Sequence, residues 1–479
     1  MGNILSVGAC HKLCTQQGAL DLGVEDIFRE YDIRGIFNEE LTPEVVSRIG
    51  LAFGTFLQGS GEVVIGRDTR LSSEIIESIF SSSLASVGCD LQSVGMVPIS
   101  VVNFATWRRK PKAGVVVTAS HNPPEYNGLR FRNNDGTGYT TQNKTIRDIF
   151  FSKEFLKGTW NKLGRVATAP SEETLTDYSG FVFDRVKVDK KLRVALDPGN
   201  GAASEMAPQM FKKLGFDVVT INAKPDGRFP GRDPDPSVEG GEVLKDLSEL
   251  IVKTKSDFGV AYDGDADRAV FIDDKGRRTV PEKIAIVFAR EYLRGKRGKI
   301  VANVSCSILL DDELSKVGGE VIRVRVGDVF ITEAIKAHKA LFGVEISSHF
   351  YFPDFYPFDD GVLASIKLAE ILSRSDESLS NILDKMRSYP SLRENIRCPD
   401  SFKFKVIDNL KRDYEKEDNE IDLTDGIRII MNEGWGLVRP SNTEPLIRIT
   451  VEGRTDESSK RLLSKFKGDV INAIKKLNN

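Results

Sequence analysis

The sequence has few cysteines, little net charge and no long apolar run. Its five cysteines, at positions 10, 14, 89, 306 and 398 of 479, are an odd number without paired spacing, so we expect no disulfide framework and a reducing, cytoplasmic setting. The formal net charge of -3 gives no general attraction to nucleic acid. No apolar run approaches the roughly 20 residues of a membrane helix, so no membrane span is expected.

The first 25 residues differ in character from the rest of the chain. Gly2 and Ser6 match the pattern for N-terminal myristoylation, and Cys10 and Cys14 offer palmitoylation sites. A single acyl chain binds membranes only marginally, and no polybasic stretch follows it. We therefore interpret residues 1–25 as a loosely ordered extension.

A threefold repeat follows. A chain of this length predicts three or four domains at ~100 to 200 residues each, and a strand–loop–helix–strand pattern begins near Glu62, Leu192 and Lys299. Each copy leads to a Gly-Val strand that a polar loop interrupts, in AGVVVTASHNPPEYNGLRF, FGVAYDGDADRAVFID and FGVEISSHFYF. We expect three related α/β units whose loops converge on a shared cleft between domains.

The chain after about Tyr389 does not repeat this pattern. It predicts a strand over 401–406, a helix over 409–415, strands from 426, 434 and 446, and a closing amphipathic helix over 457–477. The predicted fold class is α/β: three related α/β domains with mixed sheets and flanking helices, plus a C-terminal α+β domain, around a central cleft. The predicted boundaries are 1–25 for the extension and 26–160, 161–275, 276–385 and 386–479 for the four domains.

The first polar loop presents Ser120 and His121 at the end of an apolar strand over 115–117. Pro123-Pro124 and the Asn127-Gly128 turn end that strand abruptly. Because prolines fix where the serine hydroxyl points, Ser120 is a candidate nucleophile or phosphoryl carrier. The alternative is a solvated turn.

The second loop, DGDADR, places a carboxylate at every second position: Asp263, Asp265 and Asp267. Gly264 and Ala266 are small enough to let all three carboxylates approach one cation, and a hard ion such as magnesium suits oxygen ligands. The alternatives are a solvated acidic turn and a calcium loop. The glycine and distal glutamate of an EF-hand are absent after the loop.

The third loop, GVEISSH, combines the carboxylate of Glu345, the hydroxyl of Ser347 and the imidazole of His349. This mixture suits the vicinal hydroxyls of a sugar, because a carboxylate accepts two hydrogen bonds and a hydroxyl gives or accepts one. His349 is a candidate for proton transfer, although a lone histidine is more often structural.

A fourth motif, RPSNTEP, places Arg439 beside Ser441, Asn442 and Thr443 at a strand end. A guanidinium fork with hydroxyl and backbone N–H donors suits a phosphate. The alternative is a local turn with Arg439 in a salt bridge. The four loops together indicate a substrate with both a phosphate and a polyol.

These motifs, in this order, resemble those of the α-D-phosphohexomutases, particularly the phosphomannomutase/phosphoglucomutase branch. The resemblance covers about residues 26–479 and includes YDIRG, PDGRFPGRDPDP, Val326-Gly327-Asp328 and FDDG. The Pro-Pro-x-Tyr-Asn-Gly continuation after the active serine is more similar to the mannose/glucose branch than to the glucosamine branch.

The resemblance implies a serine that is phosphorylated at rest, a magnesium ion and a sugar-phosphate site. It implies catalytic roles for Ser120, His121, Arg130, Arg34, His349 and Arg268. It implies substrate binding by Tyr31, Gly327, Asp328, Glu345, Ser347, Arg439, Ser441, Asn442 and Thr443. It implies metal binding by Ser120, Asp263, Asp265 and Asp267.

The function implied is interconversion of hexose 1-phosphate and hexose 6-phosphate, of mannose, glucose or both, through a 1,6-bisphosphate that also serves as activator. Magnesium and arginine would neutralise the transferring group. A phosphosugar is the expected partner, without nucleic acid or membrane, for a monomer or homodimer. The alternatives are a phosphoglucosamine mutase, a metal-dependent sugar phosphatase and a non-catalytic phosphosugar-binding protein.

The sequence departs from the family pattern at three positions. Arg130 stands where the family often has lysine, and an arginine is effectively always protonated, so it cannot be a general base. Ser348 and Val344 stand where the sugar loop frequently has glycine. We expect these two changes to alter specificity between sugars.

Overall fold

The computed structural model of the protein describes residues 24–168, 171–238, 242–417, 420–441 and 446–478. The chain forms two compact units. The first consists of the described residues up to Arg185 with Leu196–Leu244 and Ala261–Asp267, and the second of Val186–Ala195, Lys245–Val260 and the residues from Arg268 onward. In the described ranges no helix is long and apolar enough to span a bilayer.

The first sheet has six strands in the order β1-β5-β4-β2-β3-β6. It is mixed, because β2 pairs in parallel with β3 and β4 while β5 pairs antiparallel with β1 and β4. Its strands are β1 Ile33–Ile36, β2 Glu62–Arg67, β3 Asp90–Met96, β4 Ala113–Val117, β5 Tyr126–Arg132 and β6 Val166–Thr168. The helices of this part are Pro43–Phe56, Ser73–Ser86, Ile99–Arg109, Gln142–Ser152 and Ser171–Phe183.

Local sequence signals account for the first helix. The Thr42 side chain accepts a hydrogen bond from the Val45 N–H, and Pro43 occupies the first helical position, where its missing N–H costs nothing. The apolar side of this helix packs on the sheet, where the Phe53 and Phe131 rings stack with centroids 4.3 Å apart. This core supports β4 and β5, between which the Ser120 loop lies.

The second sheet has the strand order β10-β9-β7-β8. Its strands are β7 Arg193–Asp197, β8 Asp217–Thr220, β9 Phe258–Tyr262 and β10 Ala269–Asp273, and the helices Met206–Lys213 and Lys245–Thr254 belong to the same stretch of chain. Every residue of β9 and β10 is buried. The acidic loop is therefore anchored at both ends by buried strands.

The third sheet has the order β12-β11-β13-β14. β11 pairs in parallel with β12 and β13, and β13 pairs antiparallel with β14. The strands are β11 Gly298–Asn303, β12 Gly319–Val324, β13 Phe342–Val344 and β14 Phe350–Tyr351. The helices of this part are Pro281–Tyr292, Leu309–Leu314, Asp328–His338, Gly361–Ser373 and Leu379–Asp384.

The structure confirms the repeat predicted from the sequence. The pairs β4/β5, β9/β10 and β13/β14 each flank one of the three polar loops. Before each pair lies a strand–helix–strand unit, and both β2/β3 and β11/β12 are parallel, as a crossover through a helix requires. The three loops thus have equivalent positions in their sheets.

The fourth sheet is antiparallel, with the order β15-β19-β18-β17-β16. Its strands are β15 Ser391–Arg397, β16 Glu420–Asp422, β17 Ile427–Met431, β18 Gly434–Pro440 and β19 Leu446–Gly453. The helices Asp400–Tyr414 and Asp456–Asn478 accompany it. The α+β character predicted for this part is confirmed.

The strand predicted over 401–406 is wrong, because these residues form the first turns of the helix Asp400–Tyr414. The alternation of Phe and Lys there is typical of a strand, but Val406, Leu410 and Tyr414 are spaced by four and are buried together. A helix places such residues on one face. The strand at Ser391–Arg397 was not predicted, since it contains few apolar residues.

Candidate functional site

Ser120 lies on a buried, sharply turned loop of the first unit. Its backbone has φ of 51°, a left-handed conformation that is uncommon outside glycine and typical of functional sites. The Ser120 N–H donates to Thr118 Oγ1 at 2.8 Å. The Ser120 hydroxyl donates to Asp263 Oδ2 at 3.1 Å and lies 3.1 Å from His121 Nδ1. The serine hydroxyl therefore points at the acidic loop.

Two of the predicted arginines lie around these loops. Arg34 Nη1 donates to the Ala119 carbonyl at 3.2 Å and to Asn122 Oδ1 at 2.9 Å. Arg130 Nη1 is 2.8 Å from Asp267 Oδ2 and 3.8 Å from Asp265 Oδ2. Positive charge thus lies next to both the serine loop and the carboxylates.

The three carboxylates of the acidic loop are buried and close together. Asp263, Asp265 and Asp267 are at most 1% exposed, and each offers a ligand atom within 4.8 Å of the others. Burial raises the pKa of Asp265 to about 6, and the Asp267 charge adds to this rise while Arg130 opposes it. Three buried carboxylates with Arg130 as their ion-pair partner carry excess negative charge, which is costly without a cation.

The residues of this loop fit a metal ion. The Asp265 Oδ1 atom is buried and has no hydrogen-bond partner among the described residues, whereas its Oδ2 lies 3.1 Å from Thr118 Oγ1. An oxygen in that position is available to a ligand, and carboxylate oxygens suit hard cations. The acidic triad is therefore a candidate metal site, and the Ser120 oxygen lies beside it.

Backbone contacts hold the acidic loop close to the serine loop. Ala266 has φ of 64°, the Asp265 carbonyl accepts from the Ile99 N–H at 3.0 Å, and the Gly264 carbonyl accepts from the Ala202 N–H at 2.9 Å. A Cβ on Gly264 would lie 2.5 Å from the Ser120 carbonyl oxygen. Glycine is required at position 264 because the two backbones approach each other directly.

Glu345 is the buried carboxylate of the third loop, GVEISSH, in the second unit. Its Oε1 accepts from Asn303 Nδ2 at 3.2 Å and from the Gly327 N–H at 3.0 Å. Burial raises the pKa of Glu345, although the hydrogen bonds from the Gly327 N–H and from Asn303 oppose the rise. Two neutral donors thus fix this carboxylate. Ser347 is half-buried beside it.

His349 is held from both sides of its ring. Its Nδ1 lies 2.6 Å from Asp359 Oδ2, and its Nε2 accepts from Arg268 Nε at 3.2 Å. An arginine is always a donor, so the proton of a neutral His349 belongs on Nδ1, facing the carboxylate. Asp359 was not predicted as a site residue, although it lies in the FDDG stretch.

Ser348 and Val344, which stand where the family frequently has glycine, have different surroundings. Ser348 has φ of 70°, which glycine adopts without strain and serine does not. Its N–H donates to the Glu345 carbonyl and its carbonyl accepts from the Ala269 N–H. Val344 is buried in β13 and pairs with Phe350 of β14. Ser348 therefore adopts the turn conformation that glycine would adopt, but with backbone strain.

The RPSNTEP motif is described only in part. Arg439 Nη1 donates to Asp425 Oδ2 at 3.1 Å, and burial lowers the pKa of Arg439 while Asp425 opposes that shift. The Ser441 carbonyl accepts from Lys403 Nζ at 2.7 Å. Asn442 and Thr443 lie outside the described residues.

A second arginine lies opposite the first. Arg448 of β19 is the register partner of Arg439 in β18. Like charges directly opposite on paired strands repel, so an anion between them would be favourable. Arg448 was not predicted as a site residue. The register of the β18–β19 hairpin would have identified it.

Of the remaining predicted residues, Gly327 and Asp328 begin the helix Asp328–His338, and Gly327 has φ of 138°. The Gly327 N–H donates to Glu345 Oε1 at 3.0 Å. Tyr31 is half-buried just before β1 in the first unit.

The predicted residues fall into groups. The first unit brings together Ser120, His121, Arg34, Arg130 and the three aspartates. In the second unit, Glu345 with Gly327 forms one group, His349 with Arg268 another, and Arg439 with Ser441 lies at the end of β18.

Comparisons with known proteins agree with this architecture. Four family models match in order: phosphoglucomutase/phosphomannomutase alpha/beta/alpha domain I over residues 25–157, domain II over 176–276, domain III over 280–389 and the C-terminal domain over 394–468. These matches confirm the predicted fold class of three related α/β domains and a distinct C-terminal domain.

Individual relatives match over nearly the whole chain. A "Probable phosphoglucosamine mutase" of Methanothermobacter thermautotrophicus is 40% identical over 94% of this chain and 98% of its own length. A "Phosphoglucomutase/phosphomannomutase" of Thermococcus kodakarensis is 38% identical over 91% of this chain and 96% of its own. The crystal structure of a phosphoglucomutase/phosphomannomutase family protein from Burkholderia thailandensis has a TM-score of 0.85 at 30% identity, covering 94% of this chain and 98% of that one.

The resemblance first noted in four short motifs is thus confirmed across four domains. The chain therefore belongs to the phosphoglucomutase/phosphomannomutase family of α-D-phosphohexomutases, which are isomerase-class enzymes that move a phosphoryl group within a sugar phosphate.

Proposed function

We propose that the protein interconverts the 1- and 6-phosphates of a hexose, with Ser120 as the phosphoryl carrier and Mg2+ at the acidic triad. The observation that carries this proposal is the contact at 3.1 Å between the Ser120 hydroxyl and Asp263, beside two further buried carboxylates. A hydroxyl held against a metal-ligating loop is placed to carry a phosphoryl group.

In the proposed reaction, the phosphoryl group on Ser120 passes to a free hydroxyl of the sugar monophosphate. The bond between phosphorus and Ser120 Oγ breaks, a bond to the sugar oxygen forms, and the proton of the sugar hydroxyl moves through a base to the released Ser120 oxygen. The 1,6-bisphosphate then returns its other phosphoryl group to Ser120. Asp263, Asp265, Asp267 and the Ser120 oxygen would hold Mg2+, which supplies charge neutralisation when bound.

His121 is the base that we propose, since its Nδ1 lies 3.1 Å from Ser120 Oγ. Arg34 and Arg130 cannot accept a proton and would instead bind the transferring group. His349 has its Nε2 lone pair directed at Arg268. We therefore assign His349 and Arg268 to substrate orientation.

Substrate recognition is proposed for the second unit. Glu345, fixed by Asn303 and Gly327, would accept hydrogen bonds from two sugar hydroxyls, and Ser347 would contribute a third contact. Arg439 and Arg448, with the Ser441–Thr443 stretch, would bind the phosphate that is not being transferred. Tyr31 and Asp328 would contact the sugar.

Glucosamine phosphate is a second candidate substrate beside mannose and glucose phosphates. The motif after Ser120 resembles the mannose/glucose branch, whereas the relative at 40% identity carries the name phosphoglucosamine mutase. Both readings use the same serine and metal chemistry. Measuring kcat/KM side by side for the 1-phosphates of mannose, glucose and glucosamine would identify the preferred substrate.

Intact mass spectrometry and a coupled assay test the proposal together. We expect ~80 Da of added mass on Ser120 from one phosphoryl group and turnover that requires Mg2+ and rises with 1,6-bisphosphate. Ser120→Ala would lose both. Net release of inorganic phosphate would indicate a phosphatase, and sugar-phosphate binding without turnover would indicate a binding protein; either result would refute the mutase.

The four predicted domains are proposed to carry one loop each: 26–160 the serine loop, 161–275 the metal loop, 276–385 the sugar loop and 386–479 the phosphate loop. Limited proteolysis tests these boundaries, since we expect cleavage near residues 160, 275 and 385. Cleavage confined to other positions would contradict them.

A further inference from the structure

Arg70 is a fully buried arginine directed at the loop that carries Ser120. Its side chain is 0% exposed, as is that of its ion-pair partner Asp68, whose Oδ2 lies 3.0 Å from Arg70 Nε. The two terminal nitrogens donate to four backbone carbonyls of one loop: those of Ser120 at 2.9 Å, Asn122 at 2.6 Å, Tyr126 at 2.9 Å and Pro123.

We propose that Arg70 is a positioning residue for phosphoryl transfer, which sets the direction of the Ser120 side chain without contacting the reacting atoms. The inference rests on the proposed function of Ser120. It concerns a residue outside the motif that carries the serine, 50 positions earlier in the chain.

The loop needs such a residue because it turns its carbonyls inward. Ser120 adopts the left-handed conformation, and Pro123 and Pro124 have no N–H to offer their neighbours. Buried carbonyls require donors. An arginine supplies five donors in one plane, whereas lysine supplies three from a single point, so only arginine can satisfy four carbonyls and a carboxylate together.

Asp68, the ion-pair partner of Arg70, also contacts the start of the loop. Its Oδ2 also accepts from Thr118 Oγ1 at 2.8 Å, and Thr118 Oγ1 in turn accepts from the Ser120 N–H at 2.8 Å. The backbone of Ser120 is therefore fixed on both sides, through its N–H by Thr118 and through its carbonyl by Arg70. Rotation of this peptide would move the hydroxyl away from Asp263.

A neighbouring segment covers the guanidinium. The Phe229 ring centroid lies 5.2 Å from Arg70 Cζ, a cation–π distance. A Cβ on Gly227 would lie 2.4 Å from the Thr69 carbonyl and 2.6 Å from Arg70 Cα. Segment 227–229 thus packs directly on Arg70 and excludes other orientations of its side chain.

Arg232 provides a matched control, because it holds the metal loop in the same way. Its Nε lies 2.7 Å from Asp197 Oδ2, and its Nη2 donates to the Asp197 carbonyl at 3.0 Å and to the Tyr262 carbonyl at 2.6 Å. Tyr262 immediately precedes Asp263. Each of the two reactive loops therefore has its own buried arginine.

The test compares R70K and R232K in the full chain. For each variant we measure kcat, KM, the Mg2+ concentration for half-maximal activity, the phosphorylated fraction of Ser120 by intact mass, and thermal unfolding. For R70K we expect kcat to fall about 100-fold, as for a misplacement of about 1 Å, with a lower phosphorylated fraction, and with KM and the Mg2+ dependence within about 2-fold. For R232K we expect the Mg2+ concentration for half-maximal activity to rise. The fall in its kcat at saturating Mg2+ should be smaller than the fall for R70K.

An R70K kcat within about 3-fold of wild type would overturn the inference. So would equal changes in all parameters for both variants, since a merely structural role predicts no separation. Should R70K fail to fold, F229L retains every donor: a fall in its kcat of about 3- to 10-fold supports the inference, and an unchanged kcat overturns it. Absence of wild-type turnover on every hexose and hexosamine phosphate would refute the proposed function instead.

Discussion

The Ser120 loop and the Glu345 loop occupy equivalent positions in two repeats, yet they are held by different means. Around Ser120, charged guanidinium groups of Arg70 and Arg34 bind the loop carbonyls. Around Glu345, a neutral amide of Asn303 and the Gly327 N–H bind the carboxylate itself. One loop has its backbone fixed by cations, and the other has its functional side chain fixed by neutral donors.

The difference follows from what each loop is proposed to do. A serine that exchanges a dianionic phosphoryl group benefits from nearby cations and a rigid backbone, because most of the catalysis is positioning and charge neutralisation. A carboxylate that accepts hydrogen bonds from sugar hydroxyls must keep its charge and its direction. Neutral donors provide direction without pairing the charge.

The largest effect is expected for Asp265→Asn, in the acidic loop that the Ser120 hydroxyl contacts through Asp263. Loss of one proposed metal ligand should lower kcat by about 1,000-fold and raise the Mg2+ requirement, because metal coordination supplies several kcal/mol to the transition state. The same change removes one of three buried like charges. Without metal, the free energy of unfolding of the variant should therefore exceed that of the wild type by on the order of 2 kcal/mol. Steady-state kinetics and urea unfolding in EDTA measure both.

Asp273→Asn is the matched control for this prediction, since Asp273 is also buried but pairs with Arg277 and is not one of the three aspartates of the acidic loop. It should lose stability and retain its Mg2+ requirement. A metal-free D265N that is less stable than wild type would contradict the idea that the three carboxylates repel one another without a cation.

A smaller effect of a different kind is expected for Glu345→Gln. The amide keeps the shape but loses a charged acceptor, and a hydrogen bond to a charged group contributes about 1.5 to 3 kcal/mol. The KM for the sugar phosphate should therefore rise about 10- to 100-fold while kcat changes less than about 3-fold. An equal fall in kcat with unchanged KM would place Glu345 in the chemical step and remove the contrast between the loops.

The effect of Asp425→Asn should be smaller still. Asp425 orients Arg439 through a partly exposed ion pair, with side chains 17% and 22% exposed, and such pairs contribute about 1 kcal/mol or less. We expect the KM to rise about 2- to 5-fold, with the Mg2+ requirement unchanged. A larger loss in kcat than in KM would show that Asp425 acts beyond substrate binding.

The smallest effect concerns the pH dependence of stability. Burial raises the folded-state pKa of Glu345 above its usual 4.5, so its folded form binds a proton more tightly than its unfolded form. The stability that protonation of Glu345 contributes is fully present below pH 4.5, its usual pKa, and is lost as the pH rises through the higher folded-state pKa. The unfolding free energy of E345Q relative to wild type should therefore increase with pH, and a pH-independent difference would contradict this.

Much of the site was predictable because its residues lie in short loops between apolar strands. The spacing of Asp263, Asp265 and Asp267 indicated a cation site, and the prolines after Ser120 indicated a stiff loop. The structure brings Ser120 and these aspartates together. Their functions remain proposals. The strand at 401–406 was mispredicted because an alternating pattern of five or six residues fits a strand as well as a helix end.

Other site features could not be predicted, since they depend on distant contacts. Arg70 lies in a polar loop whose sequence is typical of a solvated turn, and its four carbonyl partners are about 50 residues away. Arg448 lies between apolar residues of a predicted strand, and only the register places it opposite Arg439. Asp359 is one of two neighbouring aspartates, and only the fold shows which of them faces His349.

By itself the sequence determined the family, the repeat and the types of chemistry in each loop, because residue types, spacing and strand propensity are local properties. The tertiary structure decided which groups hold those loops in place. Buried carbonyls and carboxylates must find donors wherever the fold brings them, and those donors, such as Arg70 for the Ser120 loop and Asn303 for Glu345, come from parts of the chain with no motif to identify them.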